Sequence, residues 1–374
     1  MDLANSDYSY QEQILPHVSR TFALTIPQLP PRLRVAVVNA YLLCRIADTI
    51  EDEPALSAAE TRALLQRFAA VVSGSEAAEP LAREVAGRLS ESTLPAEREL
   101  VANMERVVRV TARLAEQRAA ILRCIELMSD GMHEFQRTAS PRGLARSSDL
   151  DSYCYYVAGV VGEMLTELFC QYSPAVAAQR ATLQELAPSF AQGLQLTNIL
   201  KDFWEDRGRG ACWLPQEVFN RYGVDLEQVS AQQSDARFHA GMRELIGVAH
   251  GHLRNALAYT LAIPARESGI RRFCLWAIGL AVLTLRRIAA NPQFTSGAQV
   301  KVSRSTVLMT QLCTNSALRS DRLLRSLFEQ AARGLPLTPP PVVRRAAAQA
   351  AALAAATWQA HQPWQAREQR AAPM

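Results

Sequence analysis

Gln195–Asp206 reads QLTNILKDFWED, and its spacing bears on both the fold and the chemistry. On a helix, residues four apart point the same way, so Asp202 and Asp206 share a face. Asn198 lies one turn earlier, and Gln195 extends the row. Carboxylates at this spacing repel each other. A hard cation such as Mg2+, which selects oxygen ligands, offsets that repulsion. Taken alone, such a row is more often a solvated acidic helix end.

Residues 41–52, YLLCRIADTIED, repeat the pattern with Asp48 and Asp52. Arg45 and Tyr41 fall on that face one and two turns earlier, and Val35, Val38, Leu42, Ile46 and Ile50 fill much of the rest. Helical bundles build metal sites from side chains on facing helices. Mg2+ seldom sits in an all-protein cage and usually shares its shell with substrate phosphates. Two such rows facing each other therefore point to a diphosphate held through Mg2+.

The 374 residues are 49% hydrophobic and 20% charged, the balance of a globular protein, with a net charge of only +4. No Lys/Arg block marks a nucleic-acid partner. The seven cysteines lack CxxC spacing and read as reduced thiols of a cytoplasmic protein; the polar start MDLANSDYSYQEQ has no apolar core of a signal peptide. Helical periodicity runs through 56–90, 97–136 and 144–172, with breaks at Gly74 and at 138–143, and no sustained period-two run appears. The expectation is all-α: one large helical domain over 1–335, then a Pro/Ala-rich extension over 336–374.

Several residues keep two readings. Ser19 and Arg20, in HVSRTFALTIPQL, are a helix cap and a surface charge, or phosphate contacts near Arg45. In DSYCYYVAGVVG (151–162), Tyr153 and Tyr156 precede Gly159 and Gly162; this is tight helix packing, or a tyrosine whose acidity is tuned by neighbouring charge. Arg207 and Arg209, in the Gly-rich RGRGACW, balance charge or belong to a flap over an anion. Lys301 and Arg304 are surface charges or contacts to a second phosphate-bearing molecule. His239, His250 and His252 lack a metal-ligand pattern, and the apolar run inside 271–287 is too short to span a bilayer.

Four motifs in order, VSRTF (18–22), YLLCRIADTIED (41–52), DSYCYYVAGVVG (151–162) and QLTNILKDFWED (195–206), resemble the squalene/phytoene synthase family over roughly residues 15–335. YCYYVAGVVG, WLPQEVFNRYG, RRFC and VKVSR are most similar to the squalene-forming members. The resemblance implies an isoprenoid-synthase bundle with a central cavity. It also implies two farnesyl diphosphates joined head to head to presqualene diphosphate, then reduced by NADPH to squalene. On this likeness Asp48, Glu51, Asp52, Asn198, Asp202 and Asp206 hold Mg2+. Ser19, Arg20, Arg45 and Lys201 contact phosphate, with Tyr41 and Gln195 also facing substrate. Tyr153 accepts the proton of the cyclopropane-forming step, and Phe22 and Phe273 wall the hydrocarbon tunnel. Arg209, Lys301 and Arg304 meet NADPH, no GxGxxG being present. RRFCLWAIG departs from the family pattern, which has a proline after the Phe-Cys pair. The expected protein acts as a monomer, in the cytoplasm or peripherally on the inner face of the membrane. Its rivals are a dehydrosqualene or phytoene synthase without hydride transfer, a non-catalytic helical assembly factor, and a Mg2+-dependent diphosphate hydrolase.

Overall fold

In a computed structural model of the chain, residues 3–19, 21–136, 140–231 and 235–340 are described. Arg20 and the Ala-rich tail beyond Pro340 lie outside them. The chain divides into Met1–Pro339 and Pro340–Met374. The first unit is all-α: among the described residues the one β feature is an isolated bridge, Leu144 to Pro215.

Twelve helices carry the architecture: α1 (Leu3–Val18), α2 (Pro31–Glu51), α3 (Ala58–Ser73), α4 (Met104–Arg113), α5 (Arg118–Gln136), α6 (Ser147–Cys154), α7 (Val160–Tyr172), α8 (Arg180–Lys201), α9 (Ala236–Ala262), α10 (Ser268–Ala290), α11 (Arg304–Ala317) and α12 (Asp321–Ala331). Helices Ala78–Ala86 and Pro95–Ala102 and several shorter helical turns join them. Sequence chemistry sets several ends. Pro31 opens α2, where a missing N–H costs nothing. Ser57 and Glu60 form a capping box on α3, and Gly74 closes that helix in the left-handed conformation, φ 89°. The helical stretch 97–136 is broken at Asn103 and again before Arg118.

α2 carries the first acidic row and is packed by α1, α3, α4, α5 and α7. Leu42, Leu43, Ile46 and Ile50 are completely buried on it. Asn39, also buried, has its polar atoms met: it donates to Gln11 Oε1 and the Val107 carbonyl (both 2.8 Å) and accepts from Thr111 Oγ1 at 2.9 Å. A buried amide satisfied from two neighbouring helices fixes the rotation of α2, because an unmet partner would cost about 1–3 kcal/mol. Asp7 of α1 does the same at the surface of α4, where Arg106, Arg109 and Arg113 converge on it.

α8 carries the second row and lies against α7, α9 and α10. The histidines of α9 serve packing, as the sequence implies: His252 Nδ1 meets Ser189 Oγ at 2.9 Å and His250 Nδ1 meets the Pro336 carbonyl at 2.8 Å. Thr338 N–H donates to the Gly247 carbonyl at 3.0 Å, so the chain stays on the helical unit past residue 335. Among the described residues α10 alone is long and apolar enough to cross a bilayer, yet its apolar stretch is mostly buried against α8, α9, α11 and α12.

Between α6 and α7 the chain makes a π-helical turn, Tyr155–Gly159, directly after Tyr153. Such turns often accompany functional sites. The glycines around it follow the packing reading. A Cβ on Gly131 of α5 would stand 2.1 Å from the Tyr156 ring, and one on Gly162 would stand 2.3 Å from the Ala187 carbonyl oxygen. Gly162→Ala gains about 1 kcal/mol of helix propensity. The overpacking against backbone costs about 1–3 kcal/mol and wins. Urea unfolding should show a net loss of stability; an unchanged or higher midpoint would mean that α7 and α8 separate freely.

Candidate active site

Both acidic rows sit where a helix ends. Asp52 caps α2, its N–H donating to the Asp48 carbonyl at 2.8 Å. α8 stops at Lys201 and the chain restarts as Phe203–Gly208, with Asp202 at the joint. Asp206 N–H still donates to the Asp202 carbonyl at 2.9 Å, so the four-residue register survives the bend.

The two rows share one electrostatic field. Burial pushes the Asp206 carboxyl up to about 6; Arg209 opposes the shift, while Asp202 and, from the other row, Asp52 add to it. Burial pushes Asp48 up to about 7, with Arg45 opposing and Asp52 and Glu97 adding. Glu51 is raised well above the usual range by burial, then by Asp52 and Asp48. Asp202 and Asp52 are raised as well, chiefly by burial. Asp52 opens to solvent at the rim, where water blunts that effect. Arg209 pairs with Asp206, and its charge is also felt by Asp202 and, from the other row, Asp52. Its companion Arg207 turns away and staples the loop, donating to the carbonyls of Val229, Glu227 and Pro141.

Tyr153 lies buried at this junction: burial raises its phenol well above the ordinary range, and Glu51, Asp52 and Asp206 push the same way. Its ring stacks on Trp213, with centroids 4.1 Å apart and planes within 4°, and takes an edge contact from Phe135 at 5.6 Å. Trp213 is held in place by the bridge at Leu144, whose N–H donates to the Leu214 carbonyl (3.0 Å) and whose carbonyl accepts from Gln216 N–H (2.7 Å). Trp213→Ala should lower turnover by about tenfold, since misplacement by a fraction of an ångström at a reacting group is costly, and Trp213→Phe should restore most of it. A full-activity alanine variant would reduce the stack to packing.

The first row gathers the other expected contacts. Phe22 N–H donates to Ser19 Oγ at 3.0 Å, which is the capping reading of Ser19. Phe22 lies 5.2 Å from the Tyr41 ring, and the Tyr41 hydroxyl donates to the Val18 carbonyl at 3.1 Å. Burial pushes that phenol up to about 12, against the hydroxyl of Ser19 and the charge of Arg45. Arg45 pairs with Asp48 at 3.7 Å and with Glu97, a partner that the sequence reading missed. On the second row Lys201 pairs with Asp202 at 3.1 Å and reaches Asn198 Oδ1 at 3.4 Å, while Gln195 is half-buried one turn earlier on α8. The turn Gly297–Val300 packs on this end. Gly297 N–H donates to Glu205 Oε1 at 2.8 Å, and a Cβ there would stand 2.9 Å from Asp202 Oδ1. Exposed Lys301 and Arg304 follow that turn.

Within the bundle, Gly162, Leu165, Phe169, Phe190, Tyr259 and Phe273 line a closed apolar seam with only about 10 Å3 of free room. Phe273 is buried there, edge-on to Phe169 at 6.0 Å. The seam is packed shut, with far less room than the about 300–1,000 Å3 of most ligand pockets. Among the described residues no three His, Cys, Asp or Glu side chains converge to enclose a metal. The rows instead offer side-by-side carboxylates, the one or two protein ligands that Mg2+ takes when phosphate and water complete its shell.

The sequence model described as squalene/phytoene synthase matches residues 15–306. The chain belongs to the squalene/phytoene synthase family. It is 29% identical over 302 residues to squalene synthase ERG9 of Candida albicans, covering 79% of this chain and 64% of that protein. It is 30% identical over 295 residues to squalene synthase R6 of a Phoma species, covering 77% and 66%. The chain thus spans just under two thirds of these relatives' own length. The fold is that of TcSQS in its complex with the ligand E5700: TM-score 0.68, 23% identity, covering 88% of this chain and 98% of the other.

Proposed function

We propose that the chain is a Mg2+-dependent squalene synthase, joining two farnesyl diphosphates head to head through presqualene diphosphate and reducing that intermediate with NADPH. The observation that carries the reading is Tyr153 buried between two acidic rows that feel each other's charge, at the end of a bundle with an apolar seam. Asp48, Glu51, Asp52, Asn198, Asp202 and Asp206 would hold Mg2+, which when bound supplies a Lewis acid for the diphosphate leaving group. The donor set fits, since raised, buried carboxylates take up positive charge readily.

Arg45 and Lys201 would exchange their present carboxylate partners for phosphate oxygens. Arg209, paired at the first diphosphate site, is better placed for leaving-group charge than for the nucleotide. The Tyr153 phenol is held protonated by its surroundings. To accept a proton from the cation it must pass its own to a neighbouring carboxylate or to released diphosphate. Phe169 and Phe273 line the path of the hydrocarbon, exclude water and offer aromatic faces to a carbocation. Entry of a farnesyl chain requires the seam to widen by rotamer change. NADPH supplies the hydride of the second half-reaction, and exposed Lys301 and Arg304, beyond the turn that packs on Asp202, fit its phosphates.

Both rows are intact, which a non-catalytic assembly factor would not need. Purified chain given farnesyl diphosphate, Mg2+ and NADPH should make squalene. Dehydrosqualene in its place, unaltered by NADPH, would assign the chain to synthases that finish without hydride transfer.

A further inference from the structure

α11 is built inside out. Its inner face sets Val307, Thr310 and Gln311 against Trp276 and Leu280 of α10, with Leu24 and Thr25 beside them in a shallow crease. The threonine hydroxyls of that half-buried side are satisfied by the helix itself: Thr310 donates to the Thr306 carbonyl at 2.8 Å and Thr314 to the Thr310 carbonyl at 2.7 Å. Its outer face carries Leu308, Met309 and Leu312, which are 55%, 56% and 53% exposed. Residues spaced i, i+1 and i+4 form one patch, unlike single exposed apolar side chains, which are ordinary.

The chain around this helix is strongly basic, and the first acid after it, Asp321, is paired with Arg271. From Ser268 to Ser320 the chain has no Asp or Glu. Arg286, Arg287 and Arg319 are exposed there, and Arg322 follows on α12. None of these four has an ion-pair partner among the described residues. Lys301 and Arg304 are exposed just before and at the start of α11. Exposed apolar side chains in a stretch that carries unpaired arginines and no acid match a surface helix that lies in a lipid interface, its cations meeting anionic headgroups. A second copy of the chain is the poorer occupant, since it would bring like charge to like charge.

We infer that the outer face of α11 docks on an anionic lipid bilayer through Leu308, Met309 and Leu312, with the exposed Arg286 and Arg287 near the end of α10 and Arg319 and Arg322 after α11 supplying the cationic charge. The inference stands on this face and not on the reaction proposed above. Its failure would leave the product assay untouched.

The full chain is sedimented with vesicles of phosphatidylglycerol and phosphatidylcholine in equal parts, and with phosphatidylcholine alone. Binding to the anionic vesicles should be stronger by about tenfold or more and should weaken as salt is raised. The combined Leu308→Ser, Met309→Ser, Leu312→Ser variant should lose about tenfold in vesicle binding while retaining its helical circular dichroism and its turnover in detergent. Arg286→Gln with Arg287→Gln should lose the preference for anionic lipid. Equal binding to both vesicle types, or undiminished binding by the triple-serine variant, would overturn the proposal. So would sedimentation velocity showing that the serine variant turns a dimer into a monomer, since the face would then belong to a second copy.

Discussion

Asp202→Asn and Asp48→Asn should each remove turnover of farnesyl diphosphate by roughly a thousandfold or more, while circular dichroism shows unchanged helicity. Each substitution keeps the shape of the side chain and removes one charge. Metal-assisted ionisation of a leaving group is worth several kcal/mol, and each 1.4 kcal/mol is a factor of about ten. Asp48 and Asp202 stand on different helices, α2 and the end of α8; Asp48 feels Asp52, and Asp202 feels Arg209, which in turn feels Asp52 and Asp206. The substitutions also relieve repulsion within each row, so stability should hold or rise slightly. Steady-state kinetics at saturating Mg2+ decides the matter. Activity within fivefold of the parent for either variant would mean that one row suffices and that the two do not form a single site.

Tyr153→Phe should lower kcat by about 100- to 10,000-fold, the usual contribution of a positioned acid–base group. The stack on Trp213 and the edge contact with Phe135 use the ring and not the hydroxyl, so the variant keeps its packing. KM for farnesyl diphosphate and the Mg2+ requirement should therefore stay near parent values. Stopped turnover with intact binding separates a chemical role from a structural one. A loss below threefold would return Tyr153 to packing.

The sequence carried the acidic rows because the four-residue period belongs to the helix itself, and the apolar filling of 35–50 told which side of α2 faces inward. All-α architecture followed from the absence of alternating runs. What local spacing does not encode is which side chains meet across the bundle. Arg45 finds Glu97, a residue from a helix with no motif of its own. Arg209 pairs with Asp206, while its neighbour Arg207 is spent on three loop carbonyls. Trp213 was visible within WLPQEVF, but its stacking on Tyr153 depends on the Leu144–Pro215 bridge, a contact between segments far apart in sequence. The bend at Asp202 and the π-turn at Tyr155–Gly159 are likewise tertiary choices, made where Gly297 and Gly131 let neighbours close in.

The central claim is that the two rows and Tyr153 join two farnesyl chains rather than merely cleaving a diphosphate. The most direct measurement is incubation of the purified chain with farnesyl diphosphate and Mg2+, without nucleotide, followed by mass spectrometry of all products. The account predicts that presqualene diphosphate accumulates, or dehydrosqualene derived from it, with diphosphate released as the chains couple. Farnesol and diphosphate alone, with no coupled product, would contradict it and make the site a hydrolase.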